Sequence, residues 1–128
     1  MNKNYYYRYL TKEDHLHKQC INWIEYQYPE LIWYHSPSEG KRSRFEQFKF
    51  KWLGGSRRAG FPDLAIFNEF MPFNGLAVEF KVIYDNGKKN YPSPNQKKWL
   101  KDLTVIGWMS EVIYTFEDFQ KLIKECYG

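Results

Sequence analysis

The sequence predicts an α/β fold with a mixed β-sheet flanked by helices, and three observations support this prediction. Apolar residues at helical spacing alternate along the chain with short aliphatic runs, in the order helix, strands, helix, strand, helix. The 128 residues are enough for one hydrophobic core and too few for two, so we expect a single domain over residues 1–128. Apolar residues make up 43% of the chain and charged residues of both signs 27%, a balance typical of a folded protein.

The first half of the chain predicts a helix, a strand and a second, shorter helix. Thr11 can cap a helix over residues 12–28, with Asp14 at the third helical position and a proline directly after the last turn. The run "LIWYH" at 31–35 is typical of a short strand, and a turn-rich basic loop follows it. The segment "RFEQFKFKWLGG" at 44–55 fits both strand alternation and a helical face, and its two closing glycines favour a short helix.

The second half of the chain predicts two neighbouring strands, a helix, a further strand and a last helix. Residues 62–67 and 76–83 are apolar and rich in β-branched and aromatic side chains, and an Asn-Gly pair ends the loop between them. Ser93 can cap a helix whose first residue is a proline. A strand at about 108–114 follows, and Thr115 can cap the last helix.

Three ionisable residues, Asp63, Glu79 and Lys81, lie within the two strands in the middle of the chain. Glu79 and Lys81 are two apart, so on a strand their side chains project from the same face. An isolated carboxylate in an apolar site is costly unless it is paired or bound to a cation. A structural ion pair is one explanation, but two acids and one lysine leave a residual negative charge. A hard divalent cation satisfies such a charge through oxygen ligands.

This set of side chains suits phosphodiester hydrolysis. Asp63 and Glu79 would hold Mg²⁺, or Mn²⁺ in its place, and the metal would stabilise the charge that develops on a phosphodiester oxygen. Lys81 would orient a water molecule or help to deprotonate it. The residues therefore predict a metal-dependent nuclease site.

Two basic segments bracket these strands, although the formal net charge of the chain is only +4. A phosphate backbone that runs along the molecule would account for both segments, whereas the alternative is an ordinary solvated surface. The residues predicted to contact nucleic acid are Lys41, Arg42, Arg44, Arg57, Arg58, Lys88, Lys89 and Lys97.

The order Asp63, then Glu79-Phe80-Lys81, resembles the signature of the PD-(D/E)XK nuclease superfamily. Four ordered blocks are similar to one branch of it, the VRR-NUC domain: "HSPSEGKRS" at 35–43, "GFPDLAIF" at 60–67, "LAVEFKV" at 76–82 and "SPNQKKWL" at 93–100. This resemblance spans nearly the whole chain and implies a restriction-endonuclease-like fold. It also implies a Mg²⁺-dependent endonuclease of the stand-alone phage or bacterial type, a small homodimer that cleaves branched DNA such as four-way junctions.

The resemblance also implies roles for individual residues. Asp63 and Glu79 match the metal-binding acids, the backbone carbonyl of Phe80 matches a further ligand, and Lys81 matches the catalytic lysine. Gln96 matches a glutamine near the active site. Its position three residues after a candidate helix cap fits a capping box equally well.

Three further residues have both a functional and a structural explanation. Glu13 matches a glutamate that helps to arrange the site, yet an acid in the first turn of a helix is also favoured by the helix dipole. Four residues after that glutamate the family commonly has a glutamine, where this chain has His17. In the loop that resembles the family's substrate-facing loop, Glu39 is either an outer ligand of the metal or a turn acid beside basic neighbours. His35 either faces the site or closes a strand.

Two other classes of protein are weaker explanations of the sequence. A non-catalytic nucleic-acid-binding module could keep the fold and the basic surface, but it has no need of all three core residues. A restriction enzyme that reads a sequence would need recognition segments that so short a chain does not show. The two widely spaced cysteines favour a reducing compartment. The absence of a long apolar run leads us to expect an intracellular protein. The resemblance to the VRR-NUC domain implies bacterial or phage-infected host cytoplasm.

Overall fold

A computed structural model describes residues 3–35 and 43–128, except for the side chains of residues 3, 4 and 57. These residues form helices and strands in the predicted α/β order. The elements are α1 (Lys3–Tyr7), α2 (Lys12–Gln27), β1 (Trp33–His35), α3 (Arg44–Trp52), a 3₁₀ helix (Gly55–Arg58), β2 (Leu64–Ile66), β3 (Leu76–Phe80), α4 (Pro94–Val105), β4 (Met109–Ile113) and α5 (Phe116–Tyr127).

Local capping explains where the helices begin, as the sequence predicts. The Thr11 hydroxyl accepts a hydrogen bond from the Asp14 amide at 3.1 Å, and the Asp14 carboxylate accepts one from the Thr11 amide at 2.8 Å. Ser93 caps α4 and Thr115 caps α5. The ambiguous segment after residue 43 is a helix, and Gly54 has a left-handed backbone directly after its C-cap. The sequence did not predict α1, whose three consecutive tyrosines have no helical apolar periodicity.

The four strands form one sheet in the order β1-β2-β3-β4. Strand β2 pairs antiparallel with β1 on one side and with β3 on the other. The Met109 amide donates to the Gly75 carbonyl at 3.0 Å, and the Lys81 amide donates to the Ile113 carbonyl at 2.9 Å. Because these partners advance in the same direction along both strands, β3 and β4 are parallel, with α4 in the connection between them. The sheet is therefore mixed, as predicted.

Both central strands are shorter than the sequence predicts. The strand expected over 62–67 is β2, Leu64–Ile66, so Asp63 lies one residue before it. The strand expected over 76–83 is β3, Leu76–Phe80, so Lys81 lies one residue after it. All residues of both strands are buried, which is typical of interior strands covered on both faces.

Spatial proximity divides the chain into two compact units. One consists of Met1–Leu31, Phe80–Tyr91 and Val112–Gly128, and the other of Ile32–Glu79 and Pro92–Glu111. The described residues that form the core of the first unit include Cys20, Ile24, Phe80, Phe119 and Ile123. Those of the second unit include Leu64, Ile66, Leu76, Ala77 and Val78. Among the helices of the described residues, none combines the length and the apolar character that crossing a membrane requires.

Candidate functional site

The segment that leads to Asp63 is held against helix α4. Gly60 has a φ of +88°, and a Cβ atom there would meet the backbone of Asn95 and Gln96 at 2.9 Å. The Trp99 indole donates a hydrogen bond to the Ala59 carbonyl at 3.1 Å. These contacts fix the chain just before Asp63, whose side chain is half-buried.

Glu79 lies inside β3 with only 1% of its surface exposed. Its Oε1 accepts a hydrogen bond from the Gln96 side-chain amide at 2.9 Å, and its Oε2 is enclosed as well. The Oε1 atom of Gln96 in turn accepts from the Ser93 amide at 2.8 Å. A single glutamine side chain therefore completes the capping box of α4 and holds the Glu79 carboxylate. Both sequence-based explanations of Gln96 describe contacts that are present.

Lys81 is buried, with 7% of its surface exposed, directly after β3. Its backbone amide is bonded to β4 through Ile113, which fixes the position from which the side chain leaves the main chain. Phe80, between Glu79 and Lys81, is fully buried, with its ring centre 4.7 Å from that of His17 and 5.8 Å from that of Phe119. His17 thus packs against the ring of Phe80.

Two carboxylates of the second compact unit lie close together. Asp63 and Glu79 each offer one oxygen, and these two oxygens lie within 4.8 Å of each other. Glu13 lies in the first turn of α2, where the helix dipole favours an acid. Hard oxygen donors of this kind are the ligand chemistry of Mg²⁺, Mn²⁺ or Ca²⁺. The residues present fit a divalent cation.

The predicted nucleic-acid-binding residues that the structure describes are all exposed. Arg44 begins α3, Lys97 lies on α4, and the Arg58 guanidinium carbon lies 5.7 Å from the centre of the Trp99 ring. Lys88 and Lys89 follow β3 in the sequence, and the Lys89 ammonium lies 5.0 Å from the centre of the Tyr114 ring.

Several predicted residues fall outside the description. Lys41, Arg42 and Glu39 belong to the segment 36–42, and the side chain of Arg57 is likewise outside the described residues. His35 is described: it is exposed at the end of β1, with its ring centre 6.1 Å from that of Trp33.

Sequence reasoning missed the part played by Gly60 and Trp99. The Trp99 indole nitrogen donates a hydrogen bond to the segment before Asp63. The Gly60-Phe61-Pro62 run contained a usable signal, because a glycine close before a proline is typical of a sharp change in chain direction.

Comparison with solved structures gives an informative match, whereas the comparisons with sequences do not. No protein-family model and no curated protein sequence matches the chain. A solved structure described as "VRR_NUC domain protein" matches with a TM-score of 0.70 and 25% sequence identity, over 92% of this chain and 89% of that chain. This match confirms the resemblance to the VRR-NUC domain that the sequence predicts, and it shows that the fold of this chain is similar to that of the solved VRR-NUC structure.

Proposed function

We propose that the chain is an Mg²⁺-dependent endodeoxyribonuclease, with Mn²⁺ able to replace Mg²⁺, and that it hydrolyses phosphodiester bonds in branched DNA such as four-way junctions. The observation that carries this proposal is the pair of Asp63 and Glu79 carboxylate oxygens within 4.8 Å of each other. The buried Lys81 follows Glu79 by two residues. The packing of a hydrophobic core does not require acids and a lysine in this arrangement.

The carboxylates of Asp63 and Glu79 would hold the metal, together with the Phe80 carbonyl, and Glu13 would help to arrange the site. When bound, the metal stabilises negative charge on the phosphodiester oxygens and favours deprotonation of water near neutral pH. Gln96 keeps the Glu79 carboxylate in one orientation by donating to its Oε1 atom. Partners of this kind orient the ligands of a metal and tune its binding.

Lys81 has a separate role in the proposal. Its side chain orients the attacking water and helps to remove its proton, while the fixed main chain after β3 limits the positions it can reach. Burial supports this role, because a low-dielectric site strengthens the interaction of the lysine with developing charge.

The preference for branched DNA and the homodimer are supported by the family resemblance, and the exposed basic residues support the binding of DNA. Arg44, Arg58 and Lys97 are exposed, as are Lys88 and Lys89. Cations on the surface attract a phosphate backbone without reading its sequence, which suits a structure-selective enzyme. Two active sites in a dimer would suit paired cuts in the two strands of a junction.

A cleavage panel tests this function. Wild-type protein, Lys81→Ala and the exposed control Lys121→Ala would be incubated with labelled duplex, flap and four-way-junction DNA, in Mg²⁺ and in EDTA. We expect Mg²⁺-dependent cleavage that is fastest on the junction, lowered by roughly 10²-fold or more in Lys81→Ala and kept in the control. Thermal unfolding would show whether Lys81→Ala is folded. Absence of cleavage by the wild type, or equal rates for folded Lys81→Ala, would overturn the proposal.

A further inference from the structure

Helix α3 exposes three aromatic side chains on one face. Phe45, Phe48 and Trp52 are 71%, 62% and 74% exposed, and no residue of α3 is buried. Spacings of three, four and seven residues place these rings side by side along the helix. We call these three residues the α3 stripe. Large exposed rings grouped in this way are more typical of a binding surface than of a solvated helix.

The opposite side of α3 is the one that packs against the chain. Phe50 lies against the 3₁₀ helix so closely that a Cβ atom on Gly55 would come within 2.4 Å of its ring. Because each residue turns an α-helix by about 100°, Phe50 points away from the middle of the stripe. Within the described part of the chain, this contact of α3 with the 3₁₀ helix therefore lies on the side away from the stripe.

Positive charges flank the stripe on both sides. On the helical wheel Arg44 and Lys51 lie beside Phe48, Lys49 lies beside Phe45 on the other side, and all three cations are exposed. Glu46 is the single acid of the helix. Three cations around three rings match a ligand that presents flat apolar faces joined by negative charges.

We infer that α3 binds single-stranded DNA, with unpaired bases stacked on Phe45, Phe48 and Trp52 and with phosphates contacting Arg44, Lys49 and Lys51. This inference rests on the proposed function in taking DNA as the partner, and it adds the form of DNA that is recognised. Aromatic platforms beside cations are how proteins hold unpaired strands, because every base has a face that can stack. Fully paired duplex offers no such face. A second copy of the chain is a poorer occupant, since a two-fold contact between stripes would bring like charges together.

Binding in EDTA, where no metal-dependent cleavage occurs, tests the inference apart from catalysis. Fluorescence anisotropy would compare a labelled oligothymidine with a blunt duplex of equal length. The variants would be Phe48→Ala/Trp52→Ala, and the control Tyr26→Ala/Tyr91→Ala, which removes two other exposed rings, 83% and 66% exposed. Circular dichroism and thermal unfolding would confirm that each variant folds.

We expect the stripe variant to bind oligothymidine at least roughly tenfold more weakly, while its duplex binding and both affinities of the control stay within about twofold. The salt dependence of oligothymidine binding tests the cations separately. Lys49→Ala/Lys51→Ala should lower the slope of log affinity against log salt concentration by about 1.4, because each phosphate that a lysine neutralises contributes about 0.7.

Three results would overturn the inference: unchanged oligothymidine binding in the stripe variant, an equal weakening of duplex binding, or a wild-type dimer that the stripe substitutions dissociate. The last of these would assign the stripe to a second copy of the chain. If the wild type cleaves DNA in Mg²⁺ and the stripe variant binds oligothymidine normally, the inference fails and the proposed function stands. If the wild type does not cleave DNA but the stripe variant loses affinity for oligothymidine alone, the proposed function fails and the inference stands.

Discussion

At the scale of single residues, Gln96 connects the architecture of the molecule to its candidate chemistry. Its carbonyl oxygen closes the capping box with the Ser93 amide, and its amide nitrogen donates to Glu79 at 2.9 Å. The oxygen of this side-chain amide thus caps α4, and its nitrogen holds the Glu79 carboxylate. Substitutions at Gln96 and Ser93 can separate the two contributions.

We expect Gln96→Ala to lower metal affinity or cleavage by roughly 10- to 100-fold, because the Glu79 carboxylate loses the donor that orients it. Ser93→Ala, which removes the hydroxyl cap and leaves the Glu79 contact, should cost about 1 kcal/mol of stability and little activity. Urea unfolding and Mg²⁺-dependent cleavage would be measured on both variants. Equal effects of the two substitutions on activity would show that Gln96 acts only as a cap residue.

Local signals explain which site residues the sequence could predict. Asp63, Glu79 and Lys81 were recognisable because charges within apolar strands need a common explanation. For Gln96 the local reasons for a cap and for a site residue were equally good, and only the folded structure shows that both contacts form. Glu13 was ambiguous for the same reason, since a first-turn acid is already favoured by the helix dipole. The catalytic roles of all five residues stay predictions.

At the scale of elements, α4 is the support for the segment before Asp63. Its first residues lie under Gly60, and Trp99 bonds the Ala59 carbonyl. The Phe61 ring lies with its centre 5.1 Å from that of Trp99. The distance between Asp63 and Gln96 therefore depends on how closely this segment approaches the helix.

Gly60→Ala tests this close approach. The new methyl group would lie 2.9 Å from the backbone of α4, on a backbone with φ of +88°. We expect a decrease of about 2 to 4 kcal/mol in the free energy of unfolding, together with slower cleavage. Gly87→Ala is the matched control, since Gly87 has a φ of +82° and nothing within 4 Å of a Cβ atom. Its expected cost is about 1 kcal/mol, from the backbone alone. Chemical denaturation would measure both variants. Equal decreases in the free energy of unfolding for Gly60→Ala and Gly87→Ala would show that contact with α4 is unimportant.

The pH dependence of stability tests the core of the first unit at Cys20, which lies on helix α2. Burial raises the pKa of the fully enclosed Cys20 thiol from 9.0 to about 12. The unfolded chain therefore loses this proton first, and the stability that the neutral thiol provides is complete below pH 9 and is lost as pH rises towards 12. We expect an unfolding free energy that falls above about pH 9 by at most about 1.4 kcal/mol per pH unit relative to Cys20→Ala.

Labelling provides the second measurement of Cys20. In Cys126→Ala protein at about pH 8.5, iodoacetamide should leave Cys20 unmodified until urea unfolds the chain, because the buried thiol is neither ionised nor accessible. Rapid modification of the native protein, or parallel pH profiles for wild type and Cys20→Ala, would contradict this account of the α2 core.

At the scale of the whole molecule, the α/β class, the helix caps and the sequence of elements could be predicted because they depend on short-range patterns. The ambiguous α3 segment was resolved correctly by its closing glycines. The order β1-β2-β3-β4 and the parallel pairing of β3 with β4 could not be predicted, since strand pairing depends on contacts distant in sequence. Strand lengths were overestimated because the residues beside Asp63 and Lys81 continue the apolar pattern beyond the hydrogen-bonded strands.

The cleavage rate of junction DNA as a function of Mg²⁺ concentration, measured for wild type and Glu79→Gln, tests the central claim most directly. Glutamine keeps the size of this buried side chain and removes its charge, so thermal unfolding should show a folded variant. We expect a rate that rises with Mg²⁺ to a plateau in the wild type, and a rate lower by roughly 10³-fold or more in Glu79→Gln. A wild-type rate independent of Mg²⁺ and resistant to EDTA, or the same curve for both proteins, would contradict the account.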